Sequence, residues 1–154
     1  MDLTGQPAPD FALPRDGGGI CTLSGIEGPV VLFFYPRADT PGCTTEALEF
    51  TTAAPDFQAA GAAVLGISKD PVSKQDAFRD KHALGIALLS DADGDVSERY
   101  GTWTEKKMFG KTSMGVERST FLIGANRKIL HEWRKVKVPG HVDEVLAVVR
   151  RLTG

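Results

Sequence analysis

Apolar residues in this chain gather into short unbroken runs, and most of the runs are separated by stretches long enough to hold a helix. Residues 29–35, PVVLFFY, are continuous, β-branched and aromatic. A strand wetted on one side would alternate, so this run predicts a central strand covered on both faces, ended by Pro36. Similar runs at 61–68 (GAAVLGIS), 85–90 (GIALLS), 119–124 (STFLIG) and 128–134 (KILHEWR) predict further strands.

Between the runs the period changes. Ala47, Phe50, Ala54 and Phe57 follow Cys43 at the spacing of one helical face, and Cys43 belongs to the same row. Its thiol is therefore expected to point inward from the first turn of a helix, which Pro55 should kink or interrupt. Ser73 with Asp76 predicts the start of a second helix, continued by Ala77, Phe78 and the stem of Lys81. Val142, Val145, Leu146, Val149 and Leu152 predict a last helix, with Arg150 and Arg151 where its dipole favours cations. PRDGGGICTL, 14–23, reads as a hairpin turning on Gly17, Gly18 and Gly19. ANRK, 125–128, joins two strands, with Asn126 expected to tolerate a left-handed backbone. No repeat, linker or low-complexity tract appears. Strands alternating with helices give an α/β sandwich with antiparallel hairpins at its edges.

The 154 residues fit one domain spanning 1–154, because halving them would leave cores too small to hold. Eighteen Lys and Arg against twenty Asp and Glu leave a net charge of -2 with no basic stripe, which argues against nucleic acid as a partner. The opening MDLTGQPAPDFALP lacks the cationic and apolar halves of a signal peptide. No apolar run reaches the roughly 20 residues of a membrane helix, so the expected location is the cytoplasm, away from membranes. His82, His131 and His141 are dispersed without ligand spacing, and the glycines form no phosphate-binding motif. No metal or cofactor is expected. Trp103 and Trp133 read as packing residues.

Two cysteines, Cys21 and Cys43, are too few for a disulfide scaffold, which turns attention to reactivity. Only a thiolate is a good nucleophile. Cys43 follows DTPG and opens a helix, where unpaired N–H groups and the positive end of the dipole favour an anion. The same residue also reads as a small buried hydrophobe, as free cysteines commonly are.

YPRADTPGCTTEA resembles the peroxidatic motif of peroxiredoxins, P-x-x-x-T-x-x-C, with Pro36, Thr40 and Cys43 at its fixed positions. The form TPGCTTEA is similar to the bacterioferritin-comigratory or PrxQ subfamily. GAAVLGISKD, LLSDADGDVSERYGTW, MGVERSTFLI and KVPGH match in order, so the resemblance covers nearly the whole chain.

That resemblance implies a thioredoxin-like α/β fold, a central mixed β-sheet flanked by helices, with an N-terminal β-hairpin extension. It implies a thiol-dependent peroxidase reducing hydrogen peroxide and organic hydroperoxides, with Cys43 becoming a sulfenic acid. Thr40 would hydrogen-bond the thiolate and hold the peroxide. Arg118, the arginine before STFLI, would stabilise the developing negative charge. Pro36 would shield the site, and the N–H groups of Gly42 and Cys43 would complete the oxygen pocket. Each has a plainer reading: Thr40 as a helix cap, Arg118 paired with Glu117 at the surface. Glu46 reads equally as an orienting partner of the arginine or a solvated carboxylate.

The chain departs from the subfamily where a second cysteine resolves the sulfenic acid. Position 48 is Leu48, and the segment 73–85 has no cysteine. Helical positions five apart lie about 7.5 Å apart along the axis, past the roughly 7 Å limit for disulfide-bonded Cα atoms. Cys21, in a short strand, reads as inert. The expectation is a monomer with a one-cysteine cycle, reduced by an external thiol such as thioredoxin or glutathione/glutaredoxin. The rivals are a non-enzymatic redox sensor and a thiol-disulfide oxidoreductase. The latter chemistry normally uses C-x-x-C, and here Thr40 stands three residues before Cys43.

Overall fold

In the computed structural model, which describes residues 2–153, the chain opens with the antiparallel hairpin read from 14–23, β1 (Ala12–Pro14) and β2 (Ile20–Thr22). There follow β3 (Val30–Phe34), α1 (Pro41–Ala59), β4 (Ala63–Ser68), α2 (Val72–His82), β5 (Ala87–Ser90) and the single turn α3 (Val96–Arg99). A second hairpin, β6 (Trp103–Met108) and β7 (Lys111–Val116), precedes β8 (Ser119–Ile123), β9 (Ile129–Trp133) and α4 (His141–Thr153). The central sheet has the order β5-β4-β3-β8-β9. Its β3, β4 and β5 run parallel, while β8 and β9 are antiparallel to their neighbours.

All five residues of β3 are buried, as a strand covered on both faces requires. Val31 and Phe33 point into a core shared with Phe50 and Phe57 of α1, Phe78 of α2, and Val145 and Val149 of α4. Val30, Leu32 and Phe34 point into a second core with Phe11, Leu13, Val96, Tyr100 and Phe121. The period-2 geometry of a strand thus divides the molecule into layers, three helices on one side of the sheet and the β1–β2 hairpin with α3 on the other.

Several elements differ from the sequence pattern. α1 runs through Pro55 to Ala59 without interruption, held by Phe50 and Phe57 on either side of the proline. Burying each of those rings is worth about 1.5–3 kcal/mol, enough together to offset a proline inside a helix. α2 begins one residue before Ser73. Pro71 is its N-cap, and the Pro71 carbonyl accepts from the N–H groups of Lys74 and Gln75. Asp76 instead accepts from Gly17 N at 2.8 Å and pairs with Arg79, pinning the first hairpin to α2. In the β8–β9 turn the left-handed residue is Arg127, at φ 64, while the Asn126 side chain accepts from Lys128 N. Leu152 is exposed, and Val148 takes its place in the buried stripe of α4.

The β6–β7 hairpin has no counterpart in the apolar pattern, because β7 is mostly solvated and buries only Val116 fully. It turns on Phe109 and Gly110, both at positive φ, the geometry that matches the twist of a two-residue hairpin. No helix among the described residues is long and apolar enough to cross a membrane.

Candidate active site

β3 ends at Phe34 and the chain turns through 36–40 into α1, so the helix starts at the carboxyl end of the central strand. Thr40 is the N-cap, with extended backbone, and Pro41 is the first helical residue, where a missing N–H costs nothing. The Thr40 carbonyl accepts from Thr44 N at 2.8 Å, closing the first helical turn. The N–H groups of Gly42 and Cys43 precede that bond and have no acceptor within the helix. Cys43 is 1% exposed and packs with Ala47 and Phe50 on the inward row.

Arg118 reaches the same place by the sheet's register. β8 pairs with β3 so that Ser119 lies opposite Phe34. The residue just before β8 therefore sits beside the end of β3, where α1 begins. Its carbonyl accepts from Val136 N at 2.9 Å, which fixes the backbone. The guanidinium then forks: Nη2 donates to Cys43 Sγ at 3.5 Å, and Nη1 donates to Glu46 Oε1 at 2.8 Å. Glu46 lies three residues after Cys43, so the helix places sulfur and carboxylate side by side beneath one cation.

Glu46 is fully buried, and its Oε2 has no hydrogen-bond partner. Burial pushes its carboxyl up to about 7, against the pull of Arg118. For Arg118 burial works against the charge, but the Cys43 sulfur and Glu46 outweigh it, and the group is held above its ordinary value. Gly42 makes this approach possible, since a Cβ there would lie 3.0 Å from Arg118 Nη2. Lys106 of β6 adds a second, half-buried cation nearby. Its Nζ donates to the Val116 carbonyl at 2.6 Å, and burial together with Arg118 lowers its pKa.

Of the residues named from the sequence, Cys43, Gly42 and Arg118 converge. Thr40 stands at the helix start with its hydroxyl donating to the Arg37 carbonyl at 2.8 Å, which leaves the oxygen lone pairs free to accept. Pro36 is half-buried at the beginning of the turn. Arg118 does not pair with Glu117, which instead accepts from the Ser119 hydroxyl and Lys135 N. Glu46 turns out to be the orienting partner. The signal for it was its position one helical turn from Cys43.

His141 is buried at the first position of α4. Its Nε2 bonds the Thr120 hydroxyl at 2.8 Å, and its ring meets Phe50 and Trp133 edge-on. Burial lowers its pKa to about 4, so it is neutral at physiological pH. Cys21 lies on the opposite face of the sheet from Cys43, against the second core, and burial raises its thiol.

A depression of about 410 Å³, lined by Pro41, Gly42, Thr45, Glu49, Val138 and Pro139, opens beside the helix start. Another lies at the amino ends of the strands, by Glu27, Gln58, Gly61 and Gly85, and its lining has no nucleophile or cation.

The buried sulfur lies under an arginine at the start of a helix, and residues 4–132 match the AhpC/TSA family. The chain is a peroxiredoxin. Peroxiredoxin Bcp of Bacillus subtilis is 43% identical over 150 residues, 97% of this chain and 96% of that protein. Peroxiredoxin Bcp of Xanthomonas campestris is 44% identical over 147 residues, 94% of this chain and 92% of that one. The solved bacterioferritin comigratory protein of Xanthomonas campestris superposes with a TM-score of 0.89 at 41% identity, covering 94% of this chain and 92% of that chain. This peroxiredoxin therefore has the thioredoxin-like fold, belongs with the Bcp/PrxQ group, and is a thiol-dependent peroxidase.

Proposed function

We propose that this peroxiredoxin reduces hydrogen peroxide and organic hydroperoxides at Cys43 by a one-cysteine cycle, as a monomer in the cytoplasm, with residues 1–154 acting as one unit. The observation that carries the reading is the Arg118 guanidinium 3.5 Å from Cys43 Sγ at the start of α1. The Cys43 thiolate attacks one peroxide oxygen; the S–O bond forms as the O–O bond breaks, and the leaving hydroxide or alkoxide takes up a proton. Arg118 and the free N–H groups of Gly42 and Cys43 stabilise the charge that moves from sulfur to the leaving oxygen. The Thr40 hydroxyl accepts the peroxide hydrogen and holds the O–O axis in line with the sulfur. Pro36 walls the pocket, and Glu46 keeps the guanidinium aimed. The alkyl peroxide reduction activity of the Xanthomonas bacterioferritin comigratory protein supports the inclusion of organic hydroperoxides.

The layering of the fold supports the one-cysteine cycle. Cys43 packs in the core on one face of the sheet and Cys21 against the core on the other, and packed layers lie about 10 Å apart. That exceeds the roughly 7 Å span of a disulfide. An external thiol, from thioredoxin or glutathione/glutaredoxin, condenses with the sulfenic acid, releasing water. A second thiol then frees Cys43 as the external disulfide forms.

Peroxide consumption with dithiothreitol, glutathione/glutaredoxin or thioredoxin tests the scheme. Cys43→Ser should be inactive and Cys21→Ser near normal with every reductant. Loss of thioredoxin-linked but not dithiothreitol-linked turnover in Cys21→Ser would refute the one-cysteine cycle.

A further inference from the structure

Asp39 adopts a left-handed backbone, φ 63, which residues other than glycine seldom hold without a reason. Its carboxylate reaches across to the far end of α2. Oδ2 lies 2.9 Å from Lys81 Nζ and Oδ1 lies 2.8 Å from His82 Nε2. The imidazole is itself held, edge-on to Phe78 at 5.6 Å between centroids, and Phe78 packs on Tyr35 at the end of the central strand. These partners lower the Asp39 carboxyl, the His82 hydrogen bond most of all.

A second strap holds the other side of the turn. Ala38 N donates to Asp70 Oδ2 at 2.7 Å, and the Ser68 hydroxyl donates to the same oxygen at 2.7 Å. Gln75 of α2 donates to Ser68 Oγ, and the Tyr35 hydroxyl donates to Gln75 Oε1. The turn 36–40 is thereby tied to α2 at both ends of the helix, directly by Asp39 and through Asp70, Ser68 and Gln75. Exposed ion pairs such as Asp39 with Lys81 add little to stability. What this one can fix is direction, because the next residue is Thr40, whose carbonyl closes the first turn of α1 and whose hydroxyl donates back to the Arg37 carbonyl within the same turn.

The geometry points to Asp39 as a positioning residue for peroxide reduction: by binding Lys81 and His82 it holds the turn that aims the Thr40 hydroxyl and the free N–H groups of Gly42 and Cys43. This rests on the reading of Thr40 as the group that holds the peroxide. The Asp39 carboxylate bonds Lys81 and His82 and acts only through Thr40, which the proposed scheme uses to hold the peroxide, so its removal should slow the peroxide step and spare reduction by thiol.

The test is the kcat/KM for peroxide, measured beside kcat and the urea midpoint for Asp39→Ala, Asp39→Gly, Thr40→Val and the double variant Lys81→Met/His82→Gln. Asp39→Ala and the double variant should each lower kcat/KM about tenfold or more, as small misplacements of reacting groups do, with kcat little changed and the midpoint held in the double variant, while alanine at this φ lowers the midpoint. Asp39→Gly, which relieves the left-handed backbone but lacks the carboxylate, should fall equally; wild-type behaviour there would overturn the proposal. Adding Asp39→Ala to the double variant should cause no further loss, since both remove the same contacts, and additive losses would also overturn it. If Asp39→Ala does not fold, the double variant decides alone. A drop in Thr40→Val beside unaffected Asp39 and α2 variants sinks the clamp only. An unaffected Thr40→Val sinks the reading of Thr40 and the clamp with it.

Discussion

Gly42→Ala should make stability and catalysis part company. Gly42 sits in the first turn of α1 and is not among the positive-φ glycines, so alanine there favours the helix by up to about 1 kcal/mol. Its Cβ would stand 3.0 Å from Arg118 Nη2 and 3.8 Å from Cζ. The guanidinium must back away by about 0.5 Å to reach ordinary contact distance. That cation now lies 3.5 Å from the sulfur. At an effective dielectric of about 20, opposite unit charges attract by about 4.7 kcal/mol at that distance and about 4.2 kcal/mol once it has withdrawn. Because Arg118 is proposed to hold the negative charge through the transition state, losing that difference, about 0.6 kcal/mol, from the transition state is about threefold in rate. Peroxide decay under dithiothreitol should slow by that factor while the urea midpoint holds or rises. In an Arg118→Ala background the substitution should leave the rate alone. An unchanged rate in the wild-type background would refute the electrostatic role of the guanidinium's position, and a joint fall of rate and stability would point to a distorted helix start.

Arg118→Ala itself should slow peroxide attack by roughly 10²- to 10³-fold in the same assay, the usual cost of an electrostatic stabiliser. Two buried groups should act oppositely on stability as pH changes. The Glu46 carboxyl rises from an ordinary 4.5 to about 7, so between those values the folded protein keeps a proton that the unfolded chain has released. Stability then falls as pH rises through that window, and Glu46→Gln should abolish the fall in urea midpoints. His141 drops from 6.5 to about 4, so the unfolded chain takes up its proton first and stability is lost as pH falls. His141→Gln should flatten that acid limb. Where the windows overlap, the two variants should tilt the wild-type profile in opposite directions.

The central strand was legible because burial on both faces leaves an unbroken apolar run, and Cys43 because it shares a helical row with Ala47 and Phe50. Arg118 could be named from its motif but not placed. Its contact with the sulfur depends on the antiparallel register of β8 on β3, a pairing across distant parts of the chain. The sequence leaves Glu46 open because a charge on a helix ordinarily reads as solvated, and only a cation arriving from elsewhere explains a carboxylate with no exposure. The β6–β7 hairpin stayed hidden since it stands out into solvent with polar strands and so imposes no alternation. Pro55 misled for the reverse reason: local propensity argued for a break, and the buried rings on either side overrode it.

The five-stranded sheet stands between the two cysteines, and that partition governs what happens when oxidant runs ahead of supply. Under the proposed one-cysteine cycle, oxidised Cys43 has no internal disulfide to retreat into and would wait for a thiol from solution, and meanwhile a second peroxide would carry it on to the irreversible sulfinic acid. The ratio of free thiol to peroxide around the molecule, more than any motion within it, would then decide how many turnovers each copy survives.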